Sequence, residues 1–406
     1  MSELLPDLPP PAADSPFARD WAQLLLLRQH PEVLAAARQA TDNELQRQVK
    51  LRKQFPDELV RAALQLLESR AAAATKFSQA DAMWVDRVGV EQSTSELVAR
   101  HKAKRFRSVA GSAEISVLCA GIGGDAIALA EQGPVRAWDL NPAACLRTAW
   151  NADVYQVAQN LRVQVGDATE LDLAGHWIQA DPDRRVTGNQ RAVRIEDYRP
   201  GPECWQRWKS TARGGAIKIS PAANFIGKFS DVEIELISLR GEAKEAAIWF
   251  GELRGSHAWT ATVLPAGETL SGDPLANFAP RSPLQRYLYD PDPAIVRSGL
   301  IELAAEQLEL SRLDEEEEYL TAERLVSSPF VTPFEVLAEL SSQEQEIRSY
   351  FRAHPAGQLE IKCRHIPTDA AAVRRKLTLK GSEPLVLFFL RIAGKSRAAI
   401  ARRCPV

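Results

Sequence analysis

The sequence predicts a doubly wound α/β core with a helical domain before it and an α+β domain after it. Three observations carry that prediction. Residues 115–139, ISVLCAGIGGDAIALAEQGPVRAWD, read as strand, Gly-rich turn, helix and strand. Strand and helix patterns then alternate through five strands to Ser220, and two further strands follow close together by Phe250. Past residue 286, strands and helices of similar length alternate again, after a stretch of Gly, Pro and short β-prone runs.

Taken in order, Met1–Pro16 is rich in Pro, Asp and Ser, the composition of a disordered tail. From residue 17 to about 110 the pattern is helical. Val60, Ala63, Leu64, Leu67 and Ala71 recur at helical spacing after the start signal Pro56-Asp57. Further helices are expected over Trp21–Arg28, Pro31–Ala40, Asp42–Phe55 and Ser93–Phe106. The last of these ends in RHKAKRFR, which reads as a solvated basic face in preference to an RNA contact.

In the core, Ile115–Leu118 is a short apolar run, as a strand buried on both faces requires. Gly121, Gly123 and Gly124 follow, and without a Cβ their backbone can approach a ligand closely. The helix Ala126–Ala130 stops at Gly133-Pro134. Asp139 ends the next strand, where an α/β nucleotide fold holds ribose hydroxyls. The spacing alone does not select the cofactor. A dinucleotide fold wants G-x-G-x-x-G, whereas the run here is G-I-G-G-D-A, and Asp125 at the helix start is a poor neighbour for a pyrophosphate. Pro142 opens another helix. Leu161–Val165 and Trp177–Ala180 are the third and fourth strands, ending in Gly166-Asp167 and in Asp181-Pro182-Asp183-Arg184-Arg185. Ala216–Ser220, Glu233–Leu239 and Ala246–Phe250 complete seven strands. Gly121, Asp139, Asp167 and Asp181 thus all fall at strand C-termini, where ligands of such sheets bind.

Residues 257–283 read as hairpin and linker. Beyond them come a helix over Leu300–Leu308, an acidic run Asp314–Glu318 expected as a solvated turn or helix start, and strands over 332–340 and 358–366. Helices over 343–354 and 369–379 and a closing hairpin complete the chain. Charge is sharply segregated here. Ile301–Glu346 holds thirteen Asp/Glu against two Lys/Arg, and Arg348–Val406 holds thirteen Lys/Arg against three Asp/Glu. A localised phosphate-binding surface needs such an excess, and internal pairing of the two parts would equally use it.

The whole chain of 406 residues has a net charge of −3, with 45% hydrophobic and 25% charged residues, ordinary for a globular protein of two or three domains. No apolar run reaches the ~18–20 residues of a membrane span, and no charged-then-apolar leader opens the chain. Five cysteines without C-x-x-C spacing fit a reduced, cytoplasmic compartment, and six scattered histidines show no metal-ligand pattern. No membrane partner and no metal are therefore expected.

The run from Ile115 to Asp139 resembles the first motif of the class I S-adenosylmethionine-dependent methyltransferases, whose cofactor carries no phosphate. Val117 and Cys119 stand where many members have an acidic residue and the first glycine. The stretches CAGIGGDAIALA, WDLNPAACLRTAWNADVY and GDATEL are also similar to the cap-guanosine trimethylating branch of RNA methyltransferases. KFSQADAMW (76–84), EQSTS (91–95) and the segment from Tyr287 onward resemble a bacterial group of methyltransferases with a THUMP-like C-terminus.

The resemblance implies a class I, Rossmann-like seven-stranded core over 111–254, a linker over 255–286, a ferredoxin-like segment over 287–334 and an α+β THUMP-like domain over 335–406. It implies S-adenosyl-L-methionine as cofactor, bound by Gly121, Gly123, Asp125, Asp139 and Asp167. Amino-group methyltransferases carry [D/N/S]-P-P-[Y/F/W] after the fourth strand. Asp181-Pro182 keeps its first half, while Asp183 and Arg184 replace the second proline and the aromatic. Asp181, Pro182 and Arg185 are accordingly the expected catalytic residues, with Arg184 or Arg185 holding a phosphate. The expected activity is methylation of a base in structured RNA, tRNA or rRNA. An RNA-binding protein with an inactive methyltransferase fold and a small-molecule methyltransferase remain the alternatives, and the sequence leaves the oligomeric state open.

Overall fold

A computed structural model describes residues 7–39, 44–184, 194–377 and 379–405. The chain forms two compact units, one of residues up to 232 together with 247–255, the other of 233–246 together with 256 onward.

The first unit opens with α1 (Ala18–Gln29), α2 (Pro31–Gln39), α3 (Glu44–Arg52), α4 (Asp57–Ala73), α5 (Arg87–Gln92) and α6 (Glu96–Ala110). Their apolar stripes close on one another and on the core. Leu24, Leu59, Leu66 and Met83 are buried in one cluster with Leu146 and Trp150. Trp84 meets Trp150 at 4.7 Å, and the Arg28 guanidinium lies over both rings. Leu8, within the expected tail, packs into the same cluster.

Then follow β1 (Ile115–Leu118), α7 (Gly124–Ala130), β2 (Val135–Asp139), α8 (Pro142–Val154), β3 (Leu161–Val165), β4 (Trp177–Ala180), α9 (Pro202–Thr211) and β5 (Gly214–Ile219). All five strands run parallel in the order β3-β2-β1-β4-β5. The order reverses between β1 and β4, and the crevice beyond that switch point is where such sheets bind ligands. Asn141 caps α8 by accepting the Ala143 amide at 2.9 Å, with Pro142 at the first helical position.

The second unit holds β6 (Glu233–Leu239) and the first half of β7 (Glu242–Gly251), whose residues 247–251 belong to the first unit. β8 (Trp259–Leu264) pairs parallel with β6 and antiparallel with β9 (Glu268–Gly272). β10 (Tyr287–Pro291), α10 (Pro293–Ser298), α11 (Ile301–Gln307), β11 (Ser311–Arg312), β12 (Leu320–Ala322) and β13 (Val331–Ser341) follow. The chain closes with α12 (Glu344–Ala353), β14 (Gln358–Cys363), α13 (Ala370–Arg375), β15 (Pro384–Ile392) and β16 (Lys395–Arg403). Seven of these strands form one sheet in the order β11-β12-β10-β13-β16-β15-β14. In β15, Leu385, Leu387 and Phe389 pack with Ile347 and Phe351 of α12. Val386, Phe388 and Leu390 pack with Leu288, Tyr319 and Phe334. Both faces are covered, which explains the continuous apolar run LVLFFL.

Two charged runs behave differently from their expectation. The acidic turn before β12 is not simply solvated. Glu317 is 1% exposed and accepts the amides of Arg391 at 2.7 Å and Glu318 at 2.9 Å; burial pushes its carboxyl above the usual range. Arg391 also pairs with Glu316, and Arg364 pairs with Glu318 at 2.7 Å. The basic run of α6 is an internal brace rather than a solvated face. Lys102 is 2% exposed and pairs with Asp125 at 2.9 Å. Arg105 donates to the Leu253 carbonyl at 2.7 Å and lies over Trp249. Arg107 donates to the carbonyls of Gly111, Ala113, Leu129 and Pro134. Of the run, Lys104 is the exposed member.

Candidate active site

A cleft of about 540 Å³ opens in the first unit beyond the C-termini of β1, β2, β3 and β4. Its floor is the turn after β1. Cys119 (φ 58°), Gly121 (φ 60°) and Gly123 (φ 94°) all adopt left-handed backbone, a conformation that costs little only for glycine. A Cβ at Gly121 would meet no protein atom within 4 Å, so that position faces open space along the cleft wall. At Gly123 a Cβ would crowd Thr148 at 3.1 Å, so this glycine serves the packing of the turn on α8.

Asp139 shapes the turn from the neighbouring strand. Its Oδ2 accepts the Gly121 amide and its Oδ1 the Asn141 amide, each at 2.8 Å. Burial pushes its carboxyl above the usual range, and the two amides oppose that rise. Asp167, at the tip of β3, uses Oδ1 to accept the amide and hydroxyl of Thr169, both at 2.8 Å. Asp125 also borders the cleft, yet its carboxylate turns to Lys102 at 2.9 Å and Thr94 at 3.0 Å. Burial works to raise its pKa, but the ammonium groups of Lys102 and Lys218 outweigh that and hold it low.

Asp181 follows β4, with 26% of its side chain exposed, and pairs through Oδ2 with Lys218 Nζ at 2.7 Å. Lys218 lies in β5, all six residues of which are buried, and also donates to the Gln92 carbonyl at 2.8 Å. The Gln92 carboxamide reaches Asp183 Oδ1 at 2.7 Å. Pro182 is buried in the same wall, and Arg184 lines the cleft. Arg185 lies outside the described residues. Gly121, Gly123, Asp125, Asp139, Asp167, Asp181 and Pro182 are thereby brought to one turn-and-strand-tip region.

Sequence reading missed the contribution of the helical region. Phe17, Val88, Gly89 and Gln92 line the cleft, although they precede the core. It also missed Lys218, whose signal was visible: a lone cation inside the apolar run GGAIKI. Arg147, 4% exposed, holds α1 and the start of α5 against α8 through Asp20 at 2.6 Å and Asp86 at 3.2 Å. Burial disfavours that guanidinium charge, and the two carboxylates more than compensate. Among the described residues, no group of three His, Cys, Asp or Glu could hold a metal ion, and no helix is long and apolar enough to cross a membrane.

Comparison with known proteins bears on the family. Residues 114–198 match the family model of the RNA cap guanine-N2 methyltransferases, and residues 331–403 that of the THUMP domain-like family. Two Mycobacterium tuberculosis strains, CDC 1551 and H37Rv, each hold a relative named "uncharacterized S-adenosylmethionine-dependent methyltransferase". Each is 33% identical over 315 residues, 76% of this chain and 84% of the relative. A crystal structure named "putative methyltransferase from Porphyromonas gingivalis W83" superposes with a TM-score of 0.74 at 18% identity, over 92% of this chain and 99% of that one. The chain therefore belongs to the class I S-adenosylmethionine-dependent methyltransferases with a THUMP-like C-terminal domain, and is an enzyme that uses S-adenosylmethionine.

Proposed function

We propose that this methyltransferase acts on an amino nitrogen of a base in structured RNA, tRNA or rRNA. The observation that carries the reading is Asp181: its Oδ2 is engaged by Lys218, and Oδ1 has no hydrogen bond among the described residues. An oxygen so disposed accepts an N–H and orients the nitrogen lone pair toward a methyl donor. A THUMP-like domain and the match to RNA cap guanine-N2 methyltransferases support RNA as the substrate class.

The residues fit the cofactor. The turn from Gly121 to Asp125 offers open space at Gly121 and carries a carboxylate instead of a cation, as suits a nucleoside without phosphate. In this reading Asp139 accepts ribose hydroxyls while its amide partners hold it in place. Asp167 accepts the adenine amino group through Oδ2. Gly121 and Gly123 shape the wall beside the methionine part, and Asp125, committed to Lys102, fixes the start of α7. The bound cofactor supplies an activated methyl group on its sulfonium. The chain's task is to orient the attacking nitrogen, exclude competing groups and accept the N–H. Pro182 stiffens the loop that carries Asp181. Arg184 and Arg185 are the proposed phosphate contacts.

A second reading, a small-molecule acceptor, is favoured by one observation. Eight of the thirteen C-terminal cations pair with carboxylates of their own unit, among them Arg364, Arg391, Arg397, Arg402 and Arg403. The deciding experiment incubates the enzyme with methyl-labelled S-adenosylmethionine and deproteinised extract from cells lacking the gene. Label should enter an RNA nucleoside identified by mass spectrometry. Label confined to small molecules overturns the RNA reading.

A further inference from the structure

We infer that Lys218 is a positioning residue of the methyl-acceptor site, locking Asp181 in a charge-neutral pair that selects an uncharged amino group. The inference rests on the reading of Asp181 as the acceptor residue.

Lys218 is 6% exposed within β5, where its neighbours are Gly, Ala and Ile. A cation buried this deeply is costly unless it is paired and hydrogen-bonded. β4 and β5 are parallel with Ala180 opposite Ile217, so the next step of the register sets Lys218 beside Asp181. The ammonium is held from two sides, by Asp181 Oδ2 at 2.7 Å and by the Gln92 carbonyl at 2.8 Å. Gln92 ends α5, and its carboxamide grips Asp183, the other carboxylate of the loop. The lysine thus fixes one carboxylate oxygen of a residue that lines the cleft, and Oδ1 has no hydrogen bond among the described residues.

This has a chemical consequence. An unpaired carboxylate beside the methyl donor would recruit a protonated amine, whose nitrogen has no lone pair to give. Compensated by Lys218, the same carboxylate remains a hydrogen-bond acceptor without a net charge. It then holds the N–H of a neutral amino group, such as one conjugated to a heteroaromatic ring, in preference to an alkylammonium.

The test compares Lys218→Met, Lys218→Arg and Asp181→Ala with the wild type. Methyl transfer from labelled S-adenosylmethionine is measured into deproteinised extract, with RNA and small molecules counted separately. Affinity for S-adenosylhomocysteine is measured by calorimetry. Lys218→Met should lower kcat about 100-fold, the scale of a misplaced reacting group, while cofactor affinity stays within about two-fold. Lys218→Arg, which keeps the charge but not the position of the ammonium, should recover about 10-fold of that loss and stay below the wild type. If Asp181→Ala abolishes transfer but Lys218→Met leaves kcat unchanged, the lysine inference is wrong and the Asp181 reading stands. If Asp181→Ala transfers normally, both fall. Should Lys218→Met fail to fold, Lys218→Arg decides: a lower kcat at unchanged cofactor affinity supports the inference, and a wild-type kcat overturns it.

Discussion

Three carboxylates at consecutive strand tips are given different work by what each already holds. Asp139 has one backbone amide on each oxygen, Asp167 has spent Oδ1 on Thr169, and Asp181 has spent Oδ2 on Lys218. Asp139→Ala removes the proposed ribose acceptor and releases the Gly121 and Asn141 amides. It should weaken S-adenosylmethionine binding by about 1.5–3 kcal/mol, read by calorimetry. Asp181→Ala should leave that affinity unchanged and abolish transfer, the signature of a contact that matters in the transition state. Glu96 gives a pH-dependent case away from the cleft. Burial works to raise its pKa, but hydrogen bonds from Ser78 and Tyr155 and the charge of Arg100 hold it below the usual glutamate range. A depressed carboxyl contributes stability above its unfolded value and loses it as pH falls through the folded one. Glu96→Gln should therefore cost about 2 kcal/mol near neutrality. That gap should close as the pH falls through and below the glutamate range, as denaturant titrations at several pH values would show.

At the scale of elements, α6 shows what a one-dimensional reading loses. RHKAKRFR looks like a surface because cations usually snorkel, yet its length lets Arg107 reach four backbone carbonyls, of Gly111, Ala113, Leu129 and Pro134. Arg107→Ala should lower stability by about 2–3 kcal/mol with little effect on cofactor affinity, read as a shift in the denaturant midpoint at constant m-value. The strands were legible for the opposite reason. Ile115–Leu118, Leu161–Val165 and Trp177–Ala180 are short β-patterned stretches bounded by turn residues, LRVQV by its alternation, and β1, β3 and β4 have those same limits. Asp139 and Asp181 could be found because a strand tip is a position along the chain. Lys218 showed only as a lone cation in an apolar run, and its pairing was not legible because Asp181 lies 37 residues away; the partner of Gln92, Asp183, lies 91 residues away. The two strands β11 and β12 escaped notice because two or three residues are too few to show a period.

For the whole molecule, net charge is a poor guide to partners, and so is a local excess once its pairing is known. Of the thirteen C-terminal cations, Arg352, Arg375, Lys380 and Lys395 have no carboxylate at ion-pair distance among the described residues. Arg374 donates to the Leu359 carbonyl. If the proposed RNA binds through this region, Arg375→Ala should flatten the slope of log affinity against log salt by at most ~0.9 for a duplex contact. Arg402→Ala, which breaks pairs with Glu335 and Glu383 at 2.8 Å, should leave the slope unchanged. Titrations of the full chain at several salt concentrations check both.

The path of the chain between its two units bears on how the protein is made. The first unit runs to 232 and is completed by 247–255, while 233–246 belongs to the second. A ribosome therefore delivers β6 before the last strand segment of the first unit, and long before β13 to β16 exist. β6 has its parallel partner only when β8 emerges, some twenty residues later. Domains generally mature as units from the N-terminus during synthesis. The first unit is therefore completed only after a stretch of the later unit has already been made, and no single cleavage of the gene yields two intact halves.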